Sequence, residues 1–345
     1  MFLRRIFIGL IVAVAIAGGS AGAAESFYEG KTVKVITPHQ PGGGYDTYAR
    51  LFGRHLGKYI PGKPNVIVIN IPGGSGLIGT NYLYNVAKPD GLSFVQLSWD
   101  SAQAQYLNYP NIRYDVSKFI WLGLANSGPI TVVVRKESPI QSMDQWLDTK
   151  TNPLIFGCTG RNSLTCSIPL AMNDIFGTTS KIVAGYKGTA PVRAALLQKE
   201  VDALTGWSWD SVKATGMSML DEGSIKIIAY LGGRHPELEA RKIPFLDERV
   251  TKPADVAFMK VLLLPAAMLR PWAVLPKTPD DKVAILRKAF AATLKDPKFL
   301  ADAKRARLEI NPKPAEYMVN LIADIKKQMT PEVISRARRI VGLEK

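Results

Sequence analysis

Two glycine-rich segments, each placed directly after an apolar run, constrain the fold of this chain more than any other feature. Val33–Thr37 precedes Pro41-Gly42-Gly43-Gly44-Tyr45-Asp46, and Val66–Ile71 precedes Pro72-Gly73-Gly74-Ser75-Gly76. Short apolar runs followed by glycines and then by helical spacing predict a strand, a tight turn and a helix. Backbone N–H groups at such a junction lie at the positive end of the helix, where they bind anions. Two such junctions can hold one anion from both sides.

Strand and helix patterns alternate along most of the 345 residues, which predicts an α/β fold with largely parallel sheets. Apolar residues at helical spacing predict a helix from Tyr48 to Leu56, and the same spacing recurs at Ile78, Tyr82 and Val86. Residues 206–210 are expected to form a turn. About 320 residues after a leader exceed what one hydrophobic core usually serves, so we expect two domains.

The first 23 residues have the three parts of a secretory signal peptide. Arg4 and Arg5 carry the positive charge, Ile6–Ala17 is a short apolar run, and Ala21-Gly22-Ala23 offers small residues for cleavage. The apolar run is shorter than the roughly 20 residues that a membrane span needs. We therefore expect export to the periplasm, with an uncleaved N-terminal anchor as the alternative.

The charge of the chain favours small anions over nucleic acid. There are 44 lysines and arginines against 29 aspartates and glutamates, a formal net charge of +15. Such a charge attracts anions in general. The basic residues are scattered, and the densest group, Arg336, Arg338 and Arg339, has no interleaved aromatic residues. This pattern lacks the clustered basic surface of a nucleic-acid-binding protein.

Catalytic motifs are weak in this chain. Ser75 does not satisfy the Gly-x-Ser-x-Gly pattern of a nucleophile elbow, and the three histidines lie in unrelated segments. Gly74-x-Gly76-x-x-Gly79 matches a dinucleotide fingerprint, with Asp100 following a later strand. An NAD-dependent oxidoreductase is therefore the alternative function, although export and a preceding glycine turn disfavour it. We expect no enzyme activity, no cofactor and no metal.

Cys158 and Cys166 are the two cysteines of the chain. A disulfide between them and a pair of buried thiols both stay open, because the sequence does not reveal the Cα separation that a bridge requires. Their spacing, with the histidines far away in sequence, matches no common zinc pattern.

Several motifs, in the same order along the chain, resemble those of the substrate-binding proteins of tripartite tricarboxylate transporters, the Bug-type periplasmic receptors. The motifs are Pro41–Asp46 with Ala49-Arg50, Asn70–Gly76, Pro89-Asp90-Gly91, Gly185–Pro191 and Ala195–Ala203. The resemblance runs from about residue 27 to the C-terminus. It implies two doubly wound α/β domains with a ligand cleft between them, the type II architecture of periplasmic binding proteins.

The resemblance also bears on organisation and partners. We expect domain 1 to comprise residues 24–126 and 266–345, and domain 2 to comprise residues 127–265. The resemblance implies a small-molecule carboxylate ligand and delivery to the membrane permease of the transporter. We expect a monomer, and a sensor protein is a further candidate partner.

The two glycine turns are expected to hold a ligand carboxylate, partly through waters. The main donors would be the backbone N–H groups of Gly43, Gly44, Gly74 and Ser75. Asp46 would cap its helix and orient the ligand or a water, two roles that are compatible.

Three departures from the family pattern concern the ligand. Tyr45 stands where the family often has Ser or Thr, Arg161 stands where a small or polar residue is common, and residues 206–210 read Gly-Trp-Ser-Trp-Asp. Arg161 would pair with a second carboxylate, with a solvated loop charge as the alternative. Trp207 would form a flat wall, with core packing as the alternative. We expect a dicarboxylate, with an aromatic or bulky body as one option. The full set of expected ligand contacts is Gly42, Gly43, Gly44, Tyr45, Asp46, Gly73, Gly74, Ser75, Gly76, Ser98, Thr159, Arg161, Asn162, Ser163, Lys187, Gly188, Thr189, Trp207 and Asp210.

Overall fold

The computed structural model describes residues 27–148, 153–161 and 163–344. The expected signal peptide lies outside the described residues. The strands are β1 (Thr32–Thr37), β2 (Asn65–Asn70), β3 (Ser93–Gln96), β4 (Ile120–Leu124), β5 (Ile130–Arg135), β6 (Ile155–Cys158), β7 (Lys181–Ala184), β8 (Ala203–Ser208), β9 (Ile225–Leu231), β10 (Pro271–Val274) and β11 (Lys313–Pro314). The α-helices are α1 (Gly44–Leu56), α2 (Leu77–Asn85), α3 (Ser101–Tyr106), α4 (Met143–Asp148), α5 (Leu164–Phe176), α6 (Thr189–Leu197), α7 (Trp209–Thr215), α8 (Met217–Asp221), α9 (Pro236–Ala240), α10 (Pro253–Leu263), α11 (Asp280–Lys295), α12 (Pro297–Arg305), α13 (Ala315–Gln328) and α14 (Pro331–Ile340).

The first sheet has six strands in the order β11-β4-β10-β3-β1-β2. β1 pairs in parallel with β2 and with β3, so Val35 lies opposite both Val68 and Phe94. β10 pairs antiparallel with β3 and β4. Because β1 and β2 run in the same direction, the two glycine turns leave the sheet at the same edge. In open α/β sheets, this carboxyl edge is where ligands bind.

The second sheet has five strands in the order β7-β6-β8-β5-β9, all drawn from residues 130–231. β6 pairs in parallel with β7 and β8, whereas β5 pairs antiparallel with β8 and β9. The chain thus passes from the first sheet to the second after β4 and returns before β10. We call the part of the chain around each sheet the first unit and the second unit.

Both sheets are mixed, so the expectation of largely parallel sheets was wrong. The antiparallel strands β5 and β10 are the first strands that the chain forms after each passage between sheets. Two consecutive strands that pair in parallel within one sheet need a crossover connection, usually a helix. A strand that the chain enters from the other sheet does not need this connection, so it can pair antiparallel. The α/β class with two α/β domains is confirmed. The exact boundaries at residues 126 and 266 stay a prediction.

Residues 206–210 continue a strand and then begin a helix, so the expected turn was wrong. Trp207 pairs with Thr131 and Thr205 pairs with Val132, which leaves a bulge at Gly206. Gly206 has φ +71°, and a Cβ added there would lie 2.9 Å from the Thr165 side chain. The glycine that indicated a turn therefore marks a bulge, which is the other common use of glycine in a strand.

Helix α1 has the apolar face that its spacing predicts. Tyr48, Leu51, Phe52 and Leu56 are all fully buried. Phe52 packs on Trp272 of β10 with 4.4 Å between ring centroids. This packing fixes the N-terminal end of α1, and with it the first glycine turn, at the edge of the first sheet.

Helix α2 follows the second glycine turn as predicted, but its spacing does not mark a core face. Ile78, Tyr82 and Val86 are 57%, 40% and 64% exposed. The side chains at this spacing therefore lie on the outer side of the first unit. Among the described residues, no helix combines the length and apolar character needed to cross a membrane.

Candidate functional site

A small cavity of about 40 Å³ lies between the two units, at the edge where the glycine turns leave the first sheet. Gly43 and Gly44 line it from the first unit, and Thr165 and Trp207 line it from the second. Arg270, next to the strand by which the chain returns to the first sheet, completes the wall. A volume of this size holds only a few water molecules, so the two units are drawn together around it.

Asp46 stabilises the first glycine turn through hydrogen bonds of its side chain. Its carboxylate accepts hydrogen bonds at 2.9 Å from the Gly42 backbone N–H, the Arg50 Nε and the Asn70 Nδ2. Burial raises the pKa of Asp46, but these bonds and the Arg50 charge outweigh it and hold the pKa below its ordinary value. Both carboxylate oxygens are therefore engaged by the protein. The expected contact of Asp46 with ligand or water stays a prediction.

The first turn packs directly against the second unit. A Cβ added to Gly44 would lie 2.0 Å from the Ser211 Oγ, a distance that only a glycine permits. Arg193 of the second unit donates a hydrogen bond from Nη2 to the Gly42 carbonyl at 3.2 Å. Gly43 precedes α1 with extended φ and ψ, so its position is that of an N-cap. The turn therefore forms part of the surface on which the two units meet.

The second turn hydrogen-bonds to the opposite unit through the Ser75 side chain. The Ser75 Oγ lies 3.0 Å from the Thr159 Oγ1, and Ser75 has φ +54°. Gly76 packs against Ser98, because a Cβ added there would lie 2.8 Å from the Ser98 Cβ. Gly74 is exposed. Of the described residues that line the cavity, none belongs to the second turn.

Helices α5 and α6 of the second unit begin at the cavity. Ser163 caps α5 by accepting a hydrogen bond from the Thr165 N–H at 3.1 Å. The Thr159 N–H donates to the Thr165 Oγ1 at 2.9 Å, which closes the loop before the helix. Gly188 precedes α6 with φ +150°, and Gly188 and Thr189 both line the cavity. With α1, three helix N-termini therefore converge on one cavity.

Arg270 is the functional candidate that sequence reasoning missed. Its side chain is 2% exposed, and its Nη2 lies 2.6 Å from the Ser211 Oγ and 3.1 Å from the Asp210 Oδ2. The guanidinium also lies 4.9 Å and 4.6 Å from the ring centroids of Tyr45 and Tyr48. One signal was present in the sequence, since Arg270 is the single charged residue in the otherwise apolar run 261–275.

Asp210 is buried beneath the cavity and does not line it. Its Oδ2 accepts hydrogen bonds from the Tyr48 hydroxyl at 2.8 Å and from Arg270. Burial raises the pKa of Asp210, but the Arg270 charge and these hydrogen bonds lower it below its ordinary value. Asp210 is therefore a carboxylate paired with Arg270.

Two further titratable groups in the cavity wall are held neutral. Burial raises the pKa of Asp100 to about 8, although hydrogen bonds from the Leu164 N–H and the Trp99 Nε1 oppose this shift. Burial, together with the Arg270 charge, lowers the pKa of His39 to about 3. At neutral pH, Asp100 is mostly protonated and His39 is uncharged. The wall thus carries one positive side chain and no unpaired negative one among the described residues.

The remaining expected residues lie at different distances from the cavity. Arg161 lies away from it, and its Nη1 donates to the Val341 carbonyl beside α14 at 3.4 Å. Lys187 is exposed, and its carbonyl accepts from the Gln40 N–H at 3.2 Å. Asn162 lies outside the described residues.

Cys158 and Cys166 are both buried free thiols. The Cys158 Sγ lies 3.2 Å from the Thr165 carbonyl oxygen, to which it donates. Burial raises the pKa of Cys158 well above its ordinary range. Of the two alternatives left open by the sequence, the structure therefore has the pair of buried thiols.

The chain matches a family model and curated relatives. Residues 55–337 match the model described as the tripartite tricarboxylate transporter family receptor, TctC. The UPF0065 protein in the TAR-I ttuE-ttuC' intergenic region of Agrobacterium vitis is 29% identical over 57% of this chain, and the match spans only 56% of that protein. Protein BugT of Bordetella pertussis is 24% identical over 83% of each chain.

Solved structures share the fold. The periplasmic binding protein BugD superposes with a TM-score of 0.71 at 24% identity, covering 92% of this chain and 100% of that one. Rpa4515 of R. palustris, solved with adipate, has a TM-score of 0.71 at 20% identity, covering 90% and 97%. MatC of Rhodopseudomonas palustris, solved with bound malate, has a TM-score of 0.67 at 21% identity, covering 90% and 99%.

The family model covers most of the chain, from within α1 to within α14, and therefore includes most of both units. This family consists of solute receptors rather than enzymes, which confirms the expectation of no enzyme activity and disfavours the alternative of an NAD-dependent oxidoreductase. The chain belongs to the tripartite tricarboxylate transporter receptor family, TctC, and is a solute-binding receptor of the Bug type.

Proposed function

We propose that this receptor binds a small organic carboxylate, with a dicarboxylate preferred, at the cavity between its two units, and that the units move apart to admit it. The observation that carries the proposal is the convergence of three helix N-termini and a buried arginine on that cavity. Helices α1, α5 and α6 all begin in its wall. Each supplies backbone N–H groups and a partial positive charge, which together favour an anion.

The electrostatics of the wall support the same ligand class. Arg270 supplies a fixed charge, and its partner Asp210 lies beneath the cavity rather than in it. The protonated Asp100 and the neutral His39 place no opposing or competing charge in the wall. A carboxylate that enters therefore meets donors and a positive potential without a carboxylate neighbour that repels it.

The expected ligand contacts that line the cavity are proposed as the binding residues. They are Gly43, Gly44, Tyr45, Thr159, Ser163, Gly188, Thr189 and Trp207. Trp99 also lines the cavity, and with Tyr45 and Trp207 it offers flat aromatic walls that suit a bulky or aromatic ligand body. Malate and adipate in the two R. palustris structures are ligands of those proteins and are consistent with the same class here.

The setting of the function follows from the family and the leader. We propose that the receptor is exported to the periplasm and delivers its ligand to the membrane permease of a tripartite tricarboxylate-type transporter. The N-terminal signal-peptide pattern and the family description support this setting.

Isothermal calorimetry on residues 24–345 tests the ligand class. The panel contains succinate, malate, adipate, citrate, terephthalate, hexanoate, glutamate and NAD. We expect saturable binding of at least one carboxylate and a rise in melting temperature with that ligand, because ligand binding to the native state stabilises it by mass action. Binding of NAD alone would contradict the proposal and favour an oxidoreductase. Binding of none of the carboxylates would also contradict it.

A further inference from the structure

The cavity wall contains buried N–H donors that the described part of the protein leaves without an acceptor. Three buried nitrogen atoms have no hydrogen-bond partner among the described residues: Arg270 Nε, Trp207 Nε1 and His39 Nε2. The two former nitrogens are donors, whereas the histidine nitrogen donates or accepts according to its tautomer. All three residues line the same cavity. A buried donor without an acceptor costs about 1–3 kcal/mol, so the N–H donors of Arg270 and Trp207 beside one cavity indicate a group that accepts hydrogen bonds.

Arg270 is pre-organised for such a group. Its Nη1 donates to the Leu269 carbonyl at 2.7 Å, and its Nη2 is shared among Ser208, Asp210 and Ser211. These bonds hold two corners of the planar guanidinium and leave the buried Nε without an acceptor among the described residues. A fixed guanidinium loses little further freedom when it binds a carboxylate, which suits it to geometric selection.

Arg270 also lies where the two units are joined. Its carbonyl accepts a hydrogen bond from the Ala125 N–H at 3.1 Å, so the returning chain runs beside the segment that leaves the first sheet. The side chain meanwhile contacts Ser208 and Ser211 of the second unit. A ligand held by Arg270 would therefore bind at the junction of the two units.

We infer that Arg270 binds one carboxylate of the ligand directly and thereby selects dicarboxylates over their monoesters. The inference rests on the proposed function. The helix N-termini would hold the other carboxylate, since α5 and α6 begin in the second unit while Arg270 directly precedes the returning strand β10. A monoester then keeps one anchoring group and loses the other.

The test measures the ratio of affinities for adipate and its monomethyl ester, and for succinate and its monomethyl ester. A charged hydrogen bond contributes about 1.5–3 kcal/mol, so wild type should bind the better diacid about 10- to 100-fold more tightly than its monoester. Removing Arg270 alone leaves Asp210 buried and unpaired, so the main variant is Arg270→Met with Asp210→Asn. A second variant, Arg270→Lys, keeps the positive charge but loses the planar guanidinium with its fixed N–H donors.

Arg193→Met is the matched control. Arg193 contacts the Trp207 ring at 5.2 Å and the Gly42 carbonyl, but it does not line the cavity. The Arg193→Met substitution should lower the affinities for the diacid and for its monoester by the same factor, so their ratio should stay unchanged. Circular dichroism and melting temperature show which variants fold, and either Arg270 variant alone suffices for the test.

The outcomes separate the two proposals. Loss of the diacid preference in the Arg270 variants, with the ratio kept in Arg193→Met, supports the inference. An unchanged ratio in a folded Arg270 variant, or no diacid preference in wild type, overturns the inference and leaves the carboxylate receptor standing. Failure of wild type to bind any of these acids or the acids of the wider panel overturns both.

Discussion

The two glycine turns come from similar stretches of sequence, yet they contribute differently to the site. The first turn is mostly buried, lines the cavity and contains Asp46, whose carboxylate ties three groups together. The second turn is partly exposed and meets the opposite unit through the pair Ser75–Thr159. Both turns follow parallel neighbouring strands, so strand geometry does not account for the difference.

The difference lies in what stands opposite each glycine. Gly44 faces Ser211 and Arg270 of the cavity wall, whereas the space around Gly74 is bounded by Leu77, the first residue of α2. A glycine therefore matters for closure of the cleft where another part of the chain approaches its Cα. The same residue type in a strand–turn–helix junction otherwise only relieves backbone strain.

Gly44→Ala should have the largest effect on binding. The added Cβ would lie 2.0 Å from the Ser211 Oγ and 2.9 Å from the Arg270 Nη2. Overpacking of this kind in the closed state costs about 1–3 kcal/mol, which weakens binding about 5- to 150-fold. Calorimetry with the diacid that wild type binds most tightly measures the loss.

Gly74→Ala is the matched control from the second turn. Its Cβ would lie 3.3 Å from the Leu77 Cβ, at the start of the helix that follows, and its φ of +55° costs about 1 kcal/mol of stability. Its affinity should stay within about threefold of wild type, because about 0.6 kcal/mol corresponds to that factor. Adding Ser211→Gly to Gly44→Ala should recover part of the lost affinity. Equal losses in the two alanine variants would contradict the comparison.

Local features of the fold were predictable, because neighbouring residues determine them. The spacing of Tyr48 to Leu56 predicted α1, and the glycines after β1 and β2 predicted both junctions. Arg270 was not predictable as a cavity residue, since its partners Ser208 and Asp210 lie about 60 residues away in sequence. The loop position of Arg161 suggested a ligand contact, but packing against α14 turns its side chain away from the cavity.

Two buried carboxyl groups extend the comparison to pH. Asp46 in the first turn has a lowered pKa, so its contribution to stability is present above its unfolded pKa and is lost only in acid. Asp100 has a pKa raised to about 8. It lies two residues beyond Ser98, against which the second turn packs. Its protonated form is favoured in the native state, so its contribution is full below its unfolded pKa of about 4 and is lost as the pH rises towards 8.

Asp100→Asn and Asp46→Asn should therefore behave differently between pH 5 and 7. The free energy of unfolding of wild type relative to Asp100→Asn should fall by about 1.4 kcal/mol per pH unit in that window. Relative to Asp46→Asn it should stay constant, because Asp46 is ionised in both states there. Urea unfolding at pH 5, 6 and 7 measures both differences. A constant difference for Asp100→Asn would show that Asp100 is ionised in the native protein.

Ser75→Ala should have a smaller effect on binding than Gly44→Ala. It removes the hydrogen bond between the second turn and the opposite unit, while Thr159 keeps the Thr165 hydroxyl at 3.2 Å. A neutral hydrogen bond contributes about 0.5–1.5 kcal/mol, so affinity should fall about two- to tenfold. Ser75→Gly removes the same hydroxyl but also relieves the strain of φ +54°, so it should lose the same affinity while its melting temperature exceeds that of Ser75→Ala. A loss in Ser75→Ala larger than that in Gly44→Ala would reverse the ranking of the two turns.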